Sequence, residues 1–236
     1  MITFRGVRPY YGEDAFLKSC RIDSLPSIEN ETAIIPHRPG VLNVSKIHRE
    51  RSINLEFDIR GRTPSKNGQI VESIIRWAET DTDERFIADE FPDRFFLARL
   101  TSADDPDYAE EFPTLKLAFT CANPYGYSLN EYSEAVGETI AYYGTVAYWP
   151  TITFTPTVDT PGPHWSDGTR FLTFESDYVA KAGHEIVIDC ANRVCTDNGD
   201  SIMEYLNLNS DWLKLERFEN KIQGTGGRVL WRCAFL

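Results

Sequence analysis

Catalytic signatures are missing from this sequence. The four histidines, His37, His48, His164 and His184, do not cluster, and no HExxH pattern occurs. With the cysteines they make no zinc-ligand spacing, so no metal is expected. There is no GxSxG nucleophile elbow. The run Gly224-Thr225-Gly226-Gly227 is followed by no GK[ST] and opens no helix. It reads as a turn before the last strand rather than a phosphate cradle. Acidic pairs such as Asp104-Asp105 and Glu110-Glu111 read as solvated faces, and Asp197-Asn198-Gly199-Asp200 lacks the closing glutamate of a calcium loop. Neither an enzyme nor a cofactor is expected.

Other absences bound the setting. No apolar run reaches bilayer-spanning length, which argues against a membrane role. The opening Met1-Ile2-Thr3-Phe4-Arg5-Gly6 has no signal-peptide apolar region, so the expectation is a chain made and assembled in a cytoplasm. No long Lys/Arg run appears, and 24 basic against 36 acidic residues leave a net charge of -12. That balance disfavours wrapping nucleic acid but lets it pass without sticking. Cysteine is sparse and unpaired in pattern: Cys20, Cys121, Cys190, Cys195 and Cys233 form no CxxC, and reduced thiols are expected.

Aromatics and alternation are what the chain does have. Phe, Tyr and Trp make up 13% of its 236 residues, and such side chains suit packed pleated surfaces. Ser52 to Gly61 is the clearest strand. Ile53, Leu55, Phe57 and Ile59 face one way, and Asn54, Glu56, Asp58 and Arg60 the other. One helix is predicted, over about 66–78, with Ile70, Val71, Ile74, Ile75 and Ala78 on one side and Trp77 extending that face. Glu84 to Ala88, Phe95 to Leu100 and Thr114 to Ala122 follow as strands. The second half holds short β-like runs at Thr139 to Tyr143, Thr151 to Phe154, Arg170 to Phe174, Glu185 to Cys190, Trp212 to Arg217 and Arg228 to Phe235.

The fold expectation is therefore mainly β. Residues 1–130 form a β-sheet or sandwich with one packed helix, and residues 131–236 a β-sandwich of jelly-roll type. The last strand is a candidate to return to the first domain.

The order of these pieces resembles the distal tail protein (Dit) family of siphophages. The likeness runs through Arg49-Glu50-Arg51-Ser52-Ile53-Asn54-Leu55-Glu56-Phe57, then a helix, then Phe119-Thr120-Cys121-Ala122-Asn123-Pro124-Tyr125. Gly144-Thr145-Val146-Ala147 with Trp149-Pro150-Thr151-Ile152 resembles the opening of that family's galectin-like domain. Leu213-Lys214-Leu215 and Phe218-Glu219-Asn220-Lys221-Ile222 resemble its L-x-x-G-x-N turn. Phe218 replaces the customary glycine, which puts the shape of that turn in question.

The resemblance implies a structural virion protein at the distal end of a phage tail, assembled in the bacterial host cytoplasm. Its N-terminal domains would form a homo-hexameric ring between the major tail tube protein and a baseplate hub or tail-associated protein. DNA would pass through a central channel without specific binding, and receptor-binding proteins could dock outside. A closed ring needs a heterologous interface with apolar and arginine-bearing patches. Arg38, Arg49 and Arg51 are the candidates. The alternative is a galectin-like carbohydrate-binding module for host-surface adhesion, with Tyr142, Trp149 and Trp165 stacking on sugar.

Overall fold

A computed structural model describes residues 2–9, 14–37, 39–104, 106–108, 110 and 112–236. The chain separates into two compact units, residues 1–126 with Leu236, and residues 127–235. The division falls just ahead of the expected 130.

Unit one holds strands β1 (Ile2–Phe4), β2 (Ala15–Ile22), β3 (Ile28–Ala33), β4 (Leu42–His48) and β5 (Arg51–Ile59). Helix α1 (Pro64–Ala78) follows, then β6 (Glu84–Ala88), β7 (Arg94–Asp104) and β8 (Thr114–Cys121). An antiparallel path runs β1-β6-β7-β8-β5-β2. Strand β7 reaches two neighbours because it is long: its first part pairs with β6 (Phe86 opposite Phe96) and its later part with β8 (Arg99 opposite Thr120). The predicted alternation of β5 is realised, and Ile53, Leu55, Phe57 and Ile59 are fully buried.

Helix α1 starts where the chemistry allows. Thr63 is extended, and its hydroxyl accepts a hydrogen bond from the Lys66 N–H at 3.3 Å, with Pro64 filling a first-turn position that needs no donor. The helix buries Val71, Ile74, Trp77 and Ala78. Trp77 meets Phe4 edge-on at 5.7 Å, and Phe4 meets Phe119 at 5.2 Å. Buried aromatic groups of this kind supply large apolar area with defined ring geometry.

Unit two is all-β apart from one short 3-10 turn at Met203–Tyr205. Its largest sheet runs Tyr132–Ala135, Arg228–Trp231, Thr151–Phe154, Ile186–Asp189, Val194–Asp197 and Asp200–Ser201, in that order. Asn198 and Gly199 link the last two strands with φ of 48° and 93°, the positive angles of a tight hairpin turn. That turn accounts for the Asp-Asn-Gly-Asp sequence. The core includes Ile140, Tyr142, Ile152, Trp165, Leu172, Ile188, Leu215 and Val229.

Two strand expectations are corrected. Trp212 to Arg217 is not a strand, although Leu213 and Leu215 are buried as its alternation implies. The Trp212 N–H donates to its neighbour Asp211 and the Lys214 N–H to Asp167, so side chains take the bonds a ladder would need; a single bridge joins Leu215 to Tyr148. The run to Phe235 is interrupted after Trp231 and resumes at Ala234–Phe235, because the Cys233 and Ala234 N–H groups donate to the Ser128 and Tyr142 hydroxyls.

The turn with Phe218 has a left-handed residue. Phe218 has φ of 82°, where a side chain costs roughly 1–2 kcal/mol. Asn220 holds the turn by accepting from the Glu216 N–H at 2.8 Å and donating to the Glu216 and Phe218 carbonyls. Phe218→Gly should therefore stabilise the protein by about 1 kcal/mol, since the strain relieved exceeds the entropy cost of glycine. A urea midpoint that fails to rise would mean that the Arg217 guanidinium, 5.0 Å above the Phe218 ring, outweighs the strain.

No disulfide joins the described residues, and Cys121, Cys190, Cys195 and Cys233 are buried. Burial pushes the thiols of Cys121, Cys190 and Cys195 up to about 12. Burial and the nearby Glu90 push half-buried Cys20 up to about 11. Thiolate is the reactive form. At pH 8 an aromatic disulfide reagent should label the native chain slowly, at Cys20 first, and all five cysteines rapidly only after denaturation. Several thiols reacting at the denatured rate in the native chain would contradict this packing.

Candidate functional site

The feature of unit one least explained by its own core is the hairpin β3–β4. It continues the β2–β5 pair beyond the sheet and, among the described residues, pairs only with itself, from Ile28 opposite His48 to Ala33 opposite Leu42. Its root is tied by the Arg49 N–H to the Ser27 carbonyl at 2.7 Å and the Ser27 N–H to the Glu50 carbonyl at 3.0 Å. A two-stranded ribbon is marginal alone in water. This one also exposes large apolar side chains: Ile34 80%, Val41 60%, Val44 57%, Leu42 44% and Ile47 44%. Such a concentration is the kind of exposed apolar patch that interaction surfaces present. Sequence pattern alone missed the hairpin, because Glu29, Asn30, Glu31 and Asn43, Ser45, Lys46 leave no clean apolar face.

The three arginine candidates separate. Arg38 lies outside the described residues. Arg49 is exposed on the hairpin root and pairs with the carboxylate of Glu29 on the facing strand. Arg51 is corrected: it is 3% exposed because it starts the inward-facing set of β5. Extending the Ile53–Ile59 alternation back by one step is the signal that places it inside. Its guanidinium stands 5.3 Å from the centre of the Phe96 ring, and Nε and Nη2 have no hydrogen-bond partner. Burial pulls its pKa below the ordinary arginine value. Removing a buried, poorly paired charge is often neutral or stabilising. Arg51→Met should raise the stability of the isolated chain by about 1 kcal/mol or leave it unchanged, and a drop in denaturation midpoint would show that the guanidinium is satisfied in solution.

The sugar-stacking set is also corrected. Tyr142 and Trp165 are fully buried, and only Trp149, 41% exposed, reaches solvent. Tyr142 is a structural clamp: its hydroxyl donates to the Val146 carbonyl at 2.6 Å and accepts from the Ala234 N–H at 3.0 Å. A Cβ on Gly144 would lie 2.2 Å from that same hydroxyl, so the glycine of the Gly144-Thr145 motif is a packing requirement. Trp165 donates from Nε1 to the Gly226 carbonyl at 2.8 Å and packs on Phe154. No group of three or more metal-ligating side chains gathers among the described residues.

Comparison with known proteins matches both units. A family described as phage tail protein RIFT-related domain matches residues 9–121, and one described as siphovirus-type tail component, C-terminal domain, matches residues 143–232. The distal tail protein of Bacillus phage SPP1 is 28% identical over 141 residues. That match spans 58% of this chain and 56% of the relative, about half its length. The crystal structure of the SPP1 Dit protein, titled a paradigm of hub adsorption apparatus in phages that infect Gram-positive bacteria, superposes with a TM-score of 0.85. It has 20% sequence identity and covers 100% of this chain and 98% of its own. The two therefore share a fold. A chain of the phage P2 baseplate in its activated conformation gives a TM-score of 0.47 at 8% identity, covering 93% of this chain and 90% of that one.

Proposed function

The chain belongs to the siphophage distal tail protein family, and from that premise we propose that it is a structural subunit of a phage tail tip. Six copies close a ring between the major tail tube protein and the baseplate hub or tail-associated protein. The observation that carries this reading is the self-paired hairpin with its uncovered Val41, Leu42, Val44 and Ile47. Unit one has a complete core without these residues, so their apolar character finds its use in a neighbouring subunit. A ring of this kind is a heterologous interface closed by rotation. Arg49, at the root of the hairpin, and Arg38, which lies outside the described residues, are the proposed charged members of that contact.

The net charge of -12 per chain suits a channel through which DNA slides without being held. The subunit acts in the virion, at the distal tail, after assembly in the host cytoplasm. Unit two serves as a platform for other baseplate or receptor-binding proteins. No helix among the described residues is long and apolar enough to cross a membrane. Native mass spectrometry and electron microscopy of the chain, alone and with a tube or hub protein, should find a six-fold ring. A monomer that engages neither partner would overturn the reading.

A further inference from the structure

A cavity of about 350 Å³ opens on unit one beside the last turns of α1, lined by Arg5, Val7, Arg8, Arg76 and Trp77. It forms because the chain turns back directly after β1. Phe4 and Val7 exchange two backbone hydrogen bonds at 2.9 Å, and Arg5 and Gly6 close the turn with φ of 55° and 73°. Two further bonds fix this turn to the helix. The Arg5 guanidinium donates to the Trp77 carbonyl at 2.9 Å, and Trp77 Nε1 donates to the Val7 carbonyl at 3.1 Å. The floor is apolar, with Val7 57% exposed beside the largely buried Trp77. The rim is basic, and Arg8 and Arg76 stand exposed on it. Glu72 pairs with Arg76 at 2.7 Å, and an exposed i,i+4 pair of this kind is weak and opens readily. In a chain of net charge -12, three arginines around an apolar hollow select an acidic occupant that carries an apolar side chain.

The other end of α1 presents that chemistry. The connection from β7 to β8 leaves Asp104, Asp107, Glu110 and Phe112 exposed, while Pro106 and Pro113 are buried and hold it to unit one. The Ile59 N–H donates to the Pro113 carbonyl at 2.9 Å, and the Arg60 guanidinium lies 5.7 Å from the centre of the Phe112 ring. These contacts place the acidic segment ahead of the first helical residue, Pro64. The 15 residues of α1, about 22 Å of helix, separate it from the arginine cavity, so the two do not meet within one chain. A heterologous ring joins two different patches of identical subunits, and these two complement each other in charge.

We propose that the arginine cavity of one copy receives the acidic segment of the next. Phe112 packs on Val7 and Trp77, and Asp107 and Glu110 face Arg8 and Arg76. This contact rests on the ring reading given above and adds a second contact to that of the hairpin.

The test compares the full parent chain with Arg8→Glu plus Arg76→Glu, with Asp107→Lys plus Glu110→Lys, and with all four changes together. All four positions are exposed, so circular dichroism should show the same fold in each. By native mass spectrometry over a dilution series, each double variant should need about tenfold more protein to form rings. The fourfold variant, whose charges are exchanged but matched, should return to within about threefold of the parent. Double variants that assemble like the parent, or a fourfold variant no better than the doubles, would overturn this contact while the ring stands. Loss of hub-protein binding in the arginine variant, with its ring intact, would assign the cavity to the hub protein and overturn the contact equally. A parent that forms no ring, alone or with a tube or hub protein, would overturn the ring reading and this contact with it.

Discussion

Changing Val44 and Ile47 together to Glu should abolish the proposed ring while leaving the chain folded. Both side chains are largely in water in the single chain, at 57% and 44% exposure, and neither belongs to the core of unit one. Surface substitutions of this kind change folding stability by about 0.5 kcal/mol or less. In the proposed ring the same positions would be desolvated, and each introduced carboxylate would be buried without a partner. Truncating a buried interface anchor costs about 2 kcal/mol or more. Two such losses weaken each contact by roughly a thousandfold, since 1.4 kcal/mol is a factor of ten. The loss recurs at every interface of a closed ring. Val158→Glu, at a 69% exposed position of unit two, is the control and should still assemble. Circular dichroism and native mass spectrometry give the two readouts. A variant ring as stable as the parent would remove the hairpin from the interface. A parent chain that never assembles, with or without tail partners, would instead count against the ring itself.

The same hairpin shows where sequence reading stops. Strand β5 and helix α1 were legible because one face of each meets this chain's own core, so burial leaves a period in the residues. The residues of β3 and β4 answer to no core in the chain, and their polar and apolar residues follow no period. Arg51 was misplaced because charge was weighted over position: the alternation of its own strand turns it inward. Trp212 to Arg217 alternates and is buried as read, yet side-chain acceptors take its backbone donors, which no periodicity reveals. Phe218 taught the opposite lesson. Phe218 stands in the left-handed region at φ of 82°, where glycine is at ease, and Asn220 ties the turn, so the cost falls on the side chain.

Trp165→Ala should be the most damaging single substitution in unit two. Trp165 is fully buried, its ring meets Phe154 at 5.8 Å and Phe174 at 6.5 Å, and its Nε1 donates to the Gly226 carbonyl. Truncating a buried tryptophan costs about 3–5 kcal/mol, and leaving that carbonyl unpaired adds about 1 kcal/mol. Set against a typical domain stability of about 5–15 kcal/mol, that is a large fraction. For a unit of this size it lowers the melting temperature by roughly 15 °C or more. The partner strand cannot close the gap cheaply: Gly224 lies against Trp165 with no room for a Cβ, which would stand 2.2 Å from the His164 carbonyl oxygen. Calorimetry should show unit two melting early while the transition of unit one stays in place. The result also bears on the carbohydrate reading. A ring that never meets solvent cannot stack on a sugar, so lost polysaccharide binding in this variant would report unfolding. Trp149→Ala is the informative change at the surface and should alter stability by about 1 kcal/mol at most, given its partial exposure. A Trp165→Ala chain that melts like the parent would remove Trp165 from the core and restore it as a candidate contact.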